Sequence, residues 1–319
     1  MIRYDFAPME GITSYPYRSA HRRCFSGVDR YFMPFLSPCK DHVFTKRELR
    51  DILPEHNEGV PVVPQLLTRV AEDFLWAAGE LKAMGYREVN LNLGCPSGTV
   101  AAKGKGAGFL ARPEELDRFL DTVFSGTDLT ISVKTRLGIR TPEEFPSLLE
   151  IYNRYPIACL TIHPRVQKDF YKNHVRMDAF QAALTESRNP VCYNGDLVTG
   201  AACRDFSAAF PSVDRVMLGR GLVGDPALAQ KARGGSGADK ETLRTFHELA
   251  YEGYCAAFGS AHSAMSRMKE QWFYLIRLFR DSGRHAKALR KAAAPAEYEA
   301  RVAELFRDLD LLEDNPGGW

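Results

Sequence analysis

The chain has 319 residues, of which 45% are hydrophobic and 26% charged, and its formal net charge is +2. This composition is typical of a folded globular protein and excludes a disordered chain or a strongly basic polyanion binder. No apolar run approaches the roughly 20 residues of a membrane span, and the N-terminus has no secretory signal pattern. Seven scattered cysteines indicate free thiols, so we expect a cytoplasmic protein without membrane contact, and by default a monomer.

Eight short β-rich segments recur along the first part of the chain, with helical patterns between them. The predicted strands cover residues 3–7, 30–34, 62–66, 89–93, 130–134, 159–163, 191–195 and 215–219, and the clearest helices cover 69–85, 112–126 and 141–155. This repeat predicts a (β/α)8 TIM barrel over residues 1–235. A doubly wound α/β sheet is the alternative, but the first strand lacks the GxGxxG turn of a dinucleotide-binding half.

The pattern changes after the eighth strand. "RGGSGADKE", residues 233–241, is glycine-rich and polar and predicts a linker. Helical periodicity follows to near the end, so we expect a small C-terminal helical domain over residues 236–319. The final "NPGGW" predicts a frayed end.

Polar residues follow nearly every predicted strand. In a barrel of this type the carboxyl ends of the strands converge on one mouth, where active sites lie. The residues expected to meet there are Ala7, Pro8, Met9, Gln65, Asn92, Cys95, Lys134, Arg136, His163, Arg165, Asn194, Gly195, Asp196, Gly219 and Arg220. Polar side chains at so many strand ends do not contribute to a hydrophobic core. Their convergence therefore predicts a functional site.

The last two strands end in glycine turns, "YNGDL" and "LGRGL". Barrel enzymes commonly bind phosphate with the backbone N–H groups of these two loops. Arg220 would add a permanently charged, forked partner for a phosphate. The turns therefore favour a phosphorylated cofactor.

Lys134 and His163 are open to more than one interpretation. Lys134 fits a Schiff-base nucleophile as in barrel aldolases, a partner for a negatively charged cofactor such as a reduced flavin, or a solvated strand end. His163 fits either a cofactor contact or an ordinary buried histidine.

Cys95 lies in a Gly-Cys-Pro turn directly after a predicted strand. Most free cysteines behave as small buried hydrophobes, and Cys24, Cys159, Cys192, Cys203 and Cys255 fit that description. A thiol in a turn above the barrel mouth can instead reach a ligand, and the glycine-rich segment that follows can close over it. Such a thiol could donate a proton while a hydride arrives from the opposite side of the ligand.

These motifs resemble those of the tRNA-dihydrouridine synthases, a family of FMN-dependent (β/α)8 enzymes with a C-terminal helical domain. The matching segments are "APMEGIT" (7–13), "NLGCPSGTVAAKGKGAGFLARP" (92–113), "SVKTRLG" (132–138), "LTIHPR" (160–165), "NGD" (194–196), "GRGLVGDP" (219–226) and "RMKEQWFYL" (267–275). They occur in order and at compatible spacing along the chain.

The resemblance implies that the protein reduces a specific uridine of tRNA to 5,6-dihydrouridine, with FMN as cofactor and NADPH as reductant. It implies that Cys95 protonates C5 of uracil while reduced FMN delivers hydride to C6, and that Asn92 orients the base. It implies a flavin site made of Ala7, Pro8 and Met9 behind the flavin, Gln65, Lys134 and His163 at its ring, and Asn194, Gly195, Asp196, Gly219 and Arg220 around its phosphate.

A uracil in folded RNA must leave its stack to be reduced, and the phosphates around it need a basic surface. Cations are dense between residues 267 and 291, and Arg277, Arg280 and Arg284 share a face if that helix continues through Gly283. We add Lys103 and Lys105 beside the cysteine, and Arg136 and Arg165, as candidate substrate contacts. A charge run is often only a solvated face, but with the resemblance it favours RNA binding.

Four alternatives remain open on the sequence. One is a flavin barrel that reduces a small-molecule enone or pyrimidine, and another is a dihydrouridine synthase acting on ribosomal RNA. The third is an aldolase that uses Lys134, and the fourth is a non-catalytic RNA-binding module.

Overall fold

The centre of the molecule is a barrel of parallel strands. The computed structural model describes residues 2–318. The strands are β1 (Arg3–Phe6), β2 (Arg30–Phe32), β3 (Val62–Val63), β4 (Gln65–Leu66), β5 (Glu88–Leu93), β6 (Thr130–Arg136), β7 (Leu160–His163), β8 (Val191–Tyr193) and β9 (Arg215–Leu218). They pair in the order β3-β2-β1-β9-β8-β7-β6-β5-β4. Because the two ends of this sheet, β3 and β4, are consecutive in the chain, the sheet curls into the predicted TIM barrel.

Pro64 divides the predicted strand 62–66 into two pieces. β3 pairs with β2, whereas β4 pairs with β5. Proline has no N–H to donate and cannot continue a ladder on both sides. Its carbonyl still accepts from the Asn90 N–H at 2.8 Å. The strand therefore changes partner at Pro64. Together, β3 and β4 take the place of one of the eight strands of the barrel.

Helices alternate with these strands. The barrel part contains α1 (Tyr15–Cys24), α2 (Lys46–Ile52), α3 (Ala71–Ala83), α4 (Gly98–Ala101), α5 (Pro113–Gly126), α6 (Phe145–Tyr152), α7 (Met177–Glu186), α8 (Gly200–Ala209), α9 (Arg220–Gly224) and α10 (Leu228–Ala232). The C-terminal part contains α11 (Lys240–Phe258), α12 (Ala261–Leu275), α13 (Gly283–Lys291) and α14 (Pro295–Asp308). Within residues 2–318, no helix is long and apolar enough to cross a membrane.

Helix α5 shows how the sequence specifies these elements. It begins with Pro113, whose fixed φ suits a first turn, and two glutamates follow at the positive end of the helix dipole. Its buried residues, Leu116, Phe119, Leu120 and Val123, recur at helical spacing and face the core.

The C-terminal helices pack directly on the loop that follows β1. The rings of Tyr17 in α1 and Phe246 in α11 lie edge to face, with centroids 5.2 Å apart. The Tyr254 hydroxyl donates to the Ile12 carbonyl at 2.8 Å, and Arg267 of α12 donates to the Gly11 carbonyl. The helical part thus contacts the segment at which the predicted site begins.

The predicted helix through residues 277–284 is interrupted. α12 ends at Leu275, a 3-10 turn covers Ile276–Leu278, and α13 starts only at Gly283. The chain bends because Phe279 is buried and forms a β-bridge with Leu311. Arg277, Arg280 and Arg284 therefore do not share a face of one helix, and this prediction is wrong.

The predicted frayed end is also wrong for its described residues; Trp319 lies outside them. Asn315 is fully buried, and its amide nitrogen donates to the carbonyls of Gly224 at 2.8 Å and Tyr274 at 3.2 Å. Its amide oxygen accepts from the Gly317 N–H at 3.0 Å. The tail therefore joins α9 of the barrel to α12.

We expect Asn315→Ala to lower the free energy of unfolding by about 1–3 kcal/mol, because it leaves buried backbone groups without partners. Asp310→Ala in the same segment is the control. Its side chain is 82% exposed and, among residues 2–318, forms an ion pair only with Lys240, so the substitution should cost less than about 1 kcal/mol. Urea unfolding followed by circular dichroism measures both. Equal midpoints for the two variants would contradict the role assigned to the tail.

Candidate active site

A cavity of about 420 Å³ opens at the carboxyl ends of the strands. Ligand sites commonly have volumes of about 300–1,000 Å³. The cavity wall includes all residues predicted to hold a cofactor, which are Ala7, Pro8, Met9, Gln65, Lys134, His163, Asn194, Gly195, Asp196, Gly219 and Arg220. Asn92, Cys95 and Arg136 also line it. The fold thus brings these side chains together, while their roles stay predictions.

The turn that carries Cys95 is held from both sides. The side-chain oxygen of Asn92 accepts from the backbone N–H groups of Gly94 at 3.0 Å and Cys95 at 2.9 Å. From the other side, Arg136 Nε donates to the Gly94 carbonyl at 2.9 Å. The turn leaves the β-ladder, yet its backbone groups have buried partners, so the position of the cysteine is defined.

The glycine-rich segment after Cys95 packs against this turn. It forms α4 and a 3-10 helix over Gly106–Ala111, and the Ala107 N–H donates to the Cys95 carbonyl at 3.1 Å. Gly106 has φ +56°, and a Cβ there would lie 2.9 Å from the Cys95 Cβ. Only glycine adopts this positive φ without strain and leaves room for the Cys95 side chain. The segment expected to close over the thiol is already packed on it.

The Cys95 thiol is half-buried. Burial raises its pKa above the ordinary value, and this outweighs the Ser97 N–H and the Arg136 guanidinium, which favour the thiolate. The group is therefore a protonated thiol at neutral pH. A protonated thiol suits proton donation better than nucleophilic attack.

Burial also controls two of the basic groups in the wall, Lys134 and His163. Burial, followed by the charge of Arg136, lowers the pKa of Lys134 to about 8. Burial and the surrounding cations lower the pKa of His163 well below its usual value, so the imidazole is neutral. Arg165 Nη1 lies 3.0 Å from His163 Nε2. Because a guanidinium can only donate, Nε2 accepts and Nδ1 carries the hydrogen.

Asp196 connects two arginines. Arg165 binds both of its carboxylate oxygens, and Arg220 Nη2 donates to one of them at 2.8 Å. Burial raises the pKa of Asp196, but the two guanidinium groups outweigh it and lower the pKa. The carboxylate therefore orients Arg165 and Arg220, which is compatible with an anion binding beside Arg220.

Arg136 and Arg165, both predicted as substrate contacts, also have partners within the protein. Arg136 is 1% exposed and donates to the carbonyls of Val166 at 3.0 Å and Phe170 at 2.9 Å, besides Gly94. Arg165 is 2% exposed and lies outside the cavity wall. Their donors hold the loop after β7 in place, and this loop forms one side of the cavity. Both arginines thus support the cavity wall, while their contact with a substrate stays a prediction.

The other predicted RNA contacts lie away from the cavity. Within the described part of the chain, the wall does not include Lys103, Lys105, Arg277, Arg280 or Arg284. Arg277 donates to the Gly317 carbonyl at 2.7 Å, whereas Lys103, Arg280 and Arg284 are exposed.

Two exposed aromatic residues at the mouth were missed. The ring of Tyr171 lies between the guanidinium groups of Arg136, at 5.3 Å, and Arg220, at 4.8 Å. Phe273 of α12 is 56% exposed and also lines the cavity. The exposed face of Phe273 suits stacking on a planar ring. Tyr171 carried no sequence signal, but Phe273 belongs to the "RMKEQWFYL" segment that entered the resemblance.

Comparison with known sequences identifies relatives along almost the whole chain. The family model described as "Dihydrouridine synthase (Dus)" matches residues 5–313. A probable tRNA-dihydrouridine synthase of Staphylococcus epidermidis is 28% identical over 260 residues, which cover 79% of this chain and 78% of that protein. The tRNA-dihydrouridine(16) synthase of Cupriavidus necator is 29% identical over 315 residues, which cover 95% of this chain and 97% of that protein.

Solved structures share the barrel. Morphinone reductase superposes with a TM-score of 0.53 at 13% identity and covers 76% of this chain and 88% of its own. The complex of 2-naphthoyl-CoA reductase with 2-naphthoyl-CoA superposes with a TM-score of 0.57 at 10% identity, over 73% of this chain and 50% of that one. At these identities the likeness concerns the fold alone. Since the family model matches residues 5–313, this chain belongs to the dihydrouridine synthase family of enzymes, as its motifs predicted.

Proposed function

We propose that this protein reduces a specific uridine of tRNA to 5,6-dihydrouridine, with FMN as cofactor and NADPH as electron donor. The observation that carries the proposal is the protonated Cys95 thiol, held at a cavity whose wall offers an amine, a neutral imidazole and two glycine loops. The names of both relatives, which specify tRNA, support this choice of substrate.

The donor set of the cavity fits FMN. Gly195 and Gly219 lie in the loops after β8 and β9, beside the guanidinium of Arg220, and this combination suits a phosphate. Lys134 lies in the same wall as Gln65 and His163 and forms no ion pair with any described carboxylate. An unpaired amine at this place suits the negatively charged edge of a reduced flavin ring. When bound and reduced, FMN supplies the hydride that adds to C6 of uracil.

Cys95 supplies the proton for the other carbon. Its S–H bond breaks as the new C–H bond forms at C5, so that the double bond takes up one hydride and one proton. The thiolate left behind is favoured by the Ser97 N–H and the Arg136 guanidinium. A proton from water restores the thiol before the next turnover.

The surface around the mouth suits RNA. We propose that the helical region 236–319 contacts tRNA, and that Lys103, Lys105, Arg280 and Arg284 contact its phosphates, because three of these four are exposed. Phe273 offers a stacking face for a base that has left its helix.

The first test is the visible absorption spectrum of the purified protein, before and after FMN is added. We expect flavin bands, and FMN as the cofactor identified by mass after release. A colourless protein that takes up no FMN would contradict the proposal, and borohydride trapping of a carbonyl compound on Lys134 would then test the aldolase alternative. Reduction assays on tRNA, a ribosomal RNA fragment and free uridine separate the remaining substrate classes.

Cys95→Ala should slow uridine reduction by about 10²–10⁴-fold, because the proton donor is lost, while the FMN content stays unchanged. Cys39→Ala is the matched control, since that thiol is exposed and lies outside the cavity wall. Dihydrouridine formed per minute is measured with NADPH in excess. Wild-type activity in Cys95→Ala would refute the assignment of the proton donor.

Lys134→Met should stabilise the FMN-free protein and weaken FMN binding. The pKa of Lys134 in the folded protein, about 8, lies below its ordinary value of 10.5, so the unfolded chain binds the proton more tightly. The loss of folding stability caused by the buried charge of Lys134 is complete below pH 8, and it disappears as the pH rises towards 10.5. The variant should therefore gain about 1–3 kcal/mol at neutral pH, and this gain should shrink above pH 8.

Thermal unfolding over this pH range, with and without FMN, checks both effects. Lys168→Met, at an exposed lysine, is the control and should change neither quantity. A loss of stability in FMN-free Lys134→Met near neutral pH would show that the amine has a partner in the empty cavity and would contradict the argument.

A further inference from the structure

A row of six polar side chains, four of them buried, crosses the barrel interior below Cys95. Its members are Arg30, Glu88, Ser132, Asn90, Gln65 and Asn92. Glu88, Asn90 and Asn92 alternate along β5 and therefore point to the same side of the strand. Gln65 and Ser132 are the register partners of Asn90 on the two neighbouring strands. Asn90 and Gln65 are completely buried, and Ser132 is 1% exposed.

Each neighbouring pair in this row is hydrogen-bonded. Arg30 donates to Glu88 at 2.8 Å, and Ser132 donates to the other oxygen of Glu88 at 2.7 Å. The amide nitrogen of Asn90 lies 3.0 Å from Ser132 Oγ. The amide nitrogen of Gln65 lies 2.7 Å from Asn90 Oδ1, and that of Asn92 lies 2.7 Å from Gln65 Oε1.

The chemistry at the Glu88 end allows only one direction for these bonds. The Glu88 carboxylate can only accept, so the single hydroxyl hydrogen of Ser132 must point to it. Ser132 Oγ must then accept from the amide nitrogen of Asn90, which turns the Asn90 oxygen towards Gln65. The same reasoning turns the Gln65 oxygen towards the amide nitrogen of Asn92.

The Cys95 end demands the same direction independently. The backbone N–H groups of Gly94 and Cys95 can only donate, and both donate to the side-chain oxygen of Asn92. The Asn92 nitrogen must therefore face Gln65. A carboxylate at one end and two backbone donors at the other thus orient three amide groups without conflict.

We infer that Glu88, Ser132 and Asn90 are positioning residues, which fix the amide of Asn92 so that its oxygen holds the Cys95 turn and only an N–H group remains for a ligand. None of the three lines the cavity, as far as the described residues show, and each acts through the next. The part of the inference that concerns the ligand rests on the proposed function.

The remaining hydrogen-bonding capacity of Asn92 has a consequence for substrate choice. Both acceptor positions of its oxygen are occupied, and one of its two N–H hydrogens is bound to Gln65. Asn92 can therefore only donate to a ligand, and it pairs with a carbonyl oxygen. The proposal places C4 of the base at this N–H group. Uracil has a carbonyl at C4, where cytosine has an amino group, so in this arrangement the row of bonds favours uracil over cytosine.

Glu88→Gln tests the direction of the row with almost no change in shape. Arg30 will hold the amide oxygen of the new glutamine, so the glutamine nitrogen faces Ser132 and donates to its Oγ. The Ser132 hydrogen then has no acceptor at this end and is no longer held away from Asn90, so the direction of the row is no longer imposed. Ser132→Ala removes the hydroxyl that joins Asn90 to Glu88. This variant tests the positioning role if Glu88→Gln does not fold. Asp5→Asn is the control, because Asp5 is the other carboxylate bound by Arg30, at the far end of the row, and has no bond to Glu88, Ser132 or Asn90.

The first readout is the rate at which iodoacetamide alkylates Cys95 in FMN-free protein near neutral pH, followed by peptide mass spectrometry. Exposed Cys39 in the same sample is the internal reference. We expect several-fold faster alkylation of Cys95 in Ser132→Ala and Glu88→Gln, because the turn is released, and no change in Asp5→Asn. Wild-type rates in folded Ser132→Ala, or an equal increase in Asp5→Asn, would overturn the inference.

The second readout is the binding of two RNA hairpins that differ only in U or C at the reduced position. We expect the preference for U to fall towards equal binding in Ser132→Ala, and an unchanged preference would overturn the part that concerns the ligand. Alkylation requires neither FMN nor RNA. Faster alkylation in a protein that forms no dihydrouridine would therefore support the positioning role while the proposed function fails.

Discussion

The two hydrogen bonds that Asn92 accepts from the backbone after β5 hold the Cys95 turn in place, and the rest of the site is arranged around them. A Gly-Cys-Pro turn has no ladder to define it, so its N–H groups need partners elsewhere. Asn92 provides these partners, and Arg136 binds the Gly94 carbonyl from the opposite side. The absence of a side chain at Gly106 lets the following segment pack against Cys95. Removing any of these features would leave a buried polar group unpaired or a cysteine without a defined position.

Burial determines the protonation states in the cavity. It raises the pKa of the Cys95 thiol and lowers the pKa values of Lys134 and His163, because a poorly solvated group favours its neutral form. The result is a thiol that keeps its proton, an imidazole that stays neutral and an amine that titrates near physiological pH. A bound anion would raise the pKa of Lys134 again and keep its amine fully charged, and the charged amine would stabilise the anion. The cavity is therefore electrostatically prepared for a negatively charged ligand.

The C-terminal helices complete the cavity as well as packing on the barrel. Phe273 and Tyr274 of α12 belong to the wall. Their position is maintained by the bonds from Arg267 and Tyr254 to the loop after β1, and by Asn315, which joins Tyr274 to the end of α9. The shape of the mouth thus depends on how the helical part sits on the barrel.

The sequence by itself determined the barrel, its strand ends and the convergence of the cofactor set, because alternation along a strand and the polarity of its last residues are local properties. Tertiary structure alone decided where the strand at Pro64 changes its partner, since only closure of the barrel brings β5 beside β4. The same holds for the break after Leu275, which depends on the bridge from Phe279 to Leu311. Tertiary structure alone also shows that Arg136 and Arg165 donate to carbonyls and a carboxylate on other loops. The direction of the bonds from Glu88 to Asn92 likewise exists only when strands distant in sequence lie side by side, because each amide is oriented by a neighbour that the chain order does not reveal.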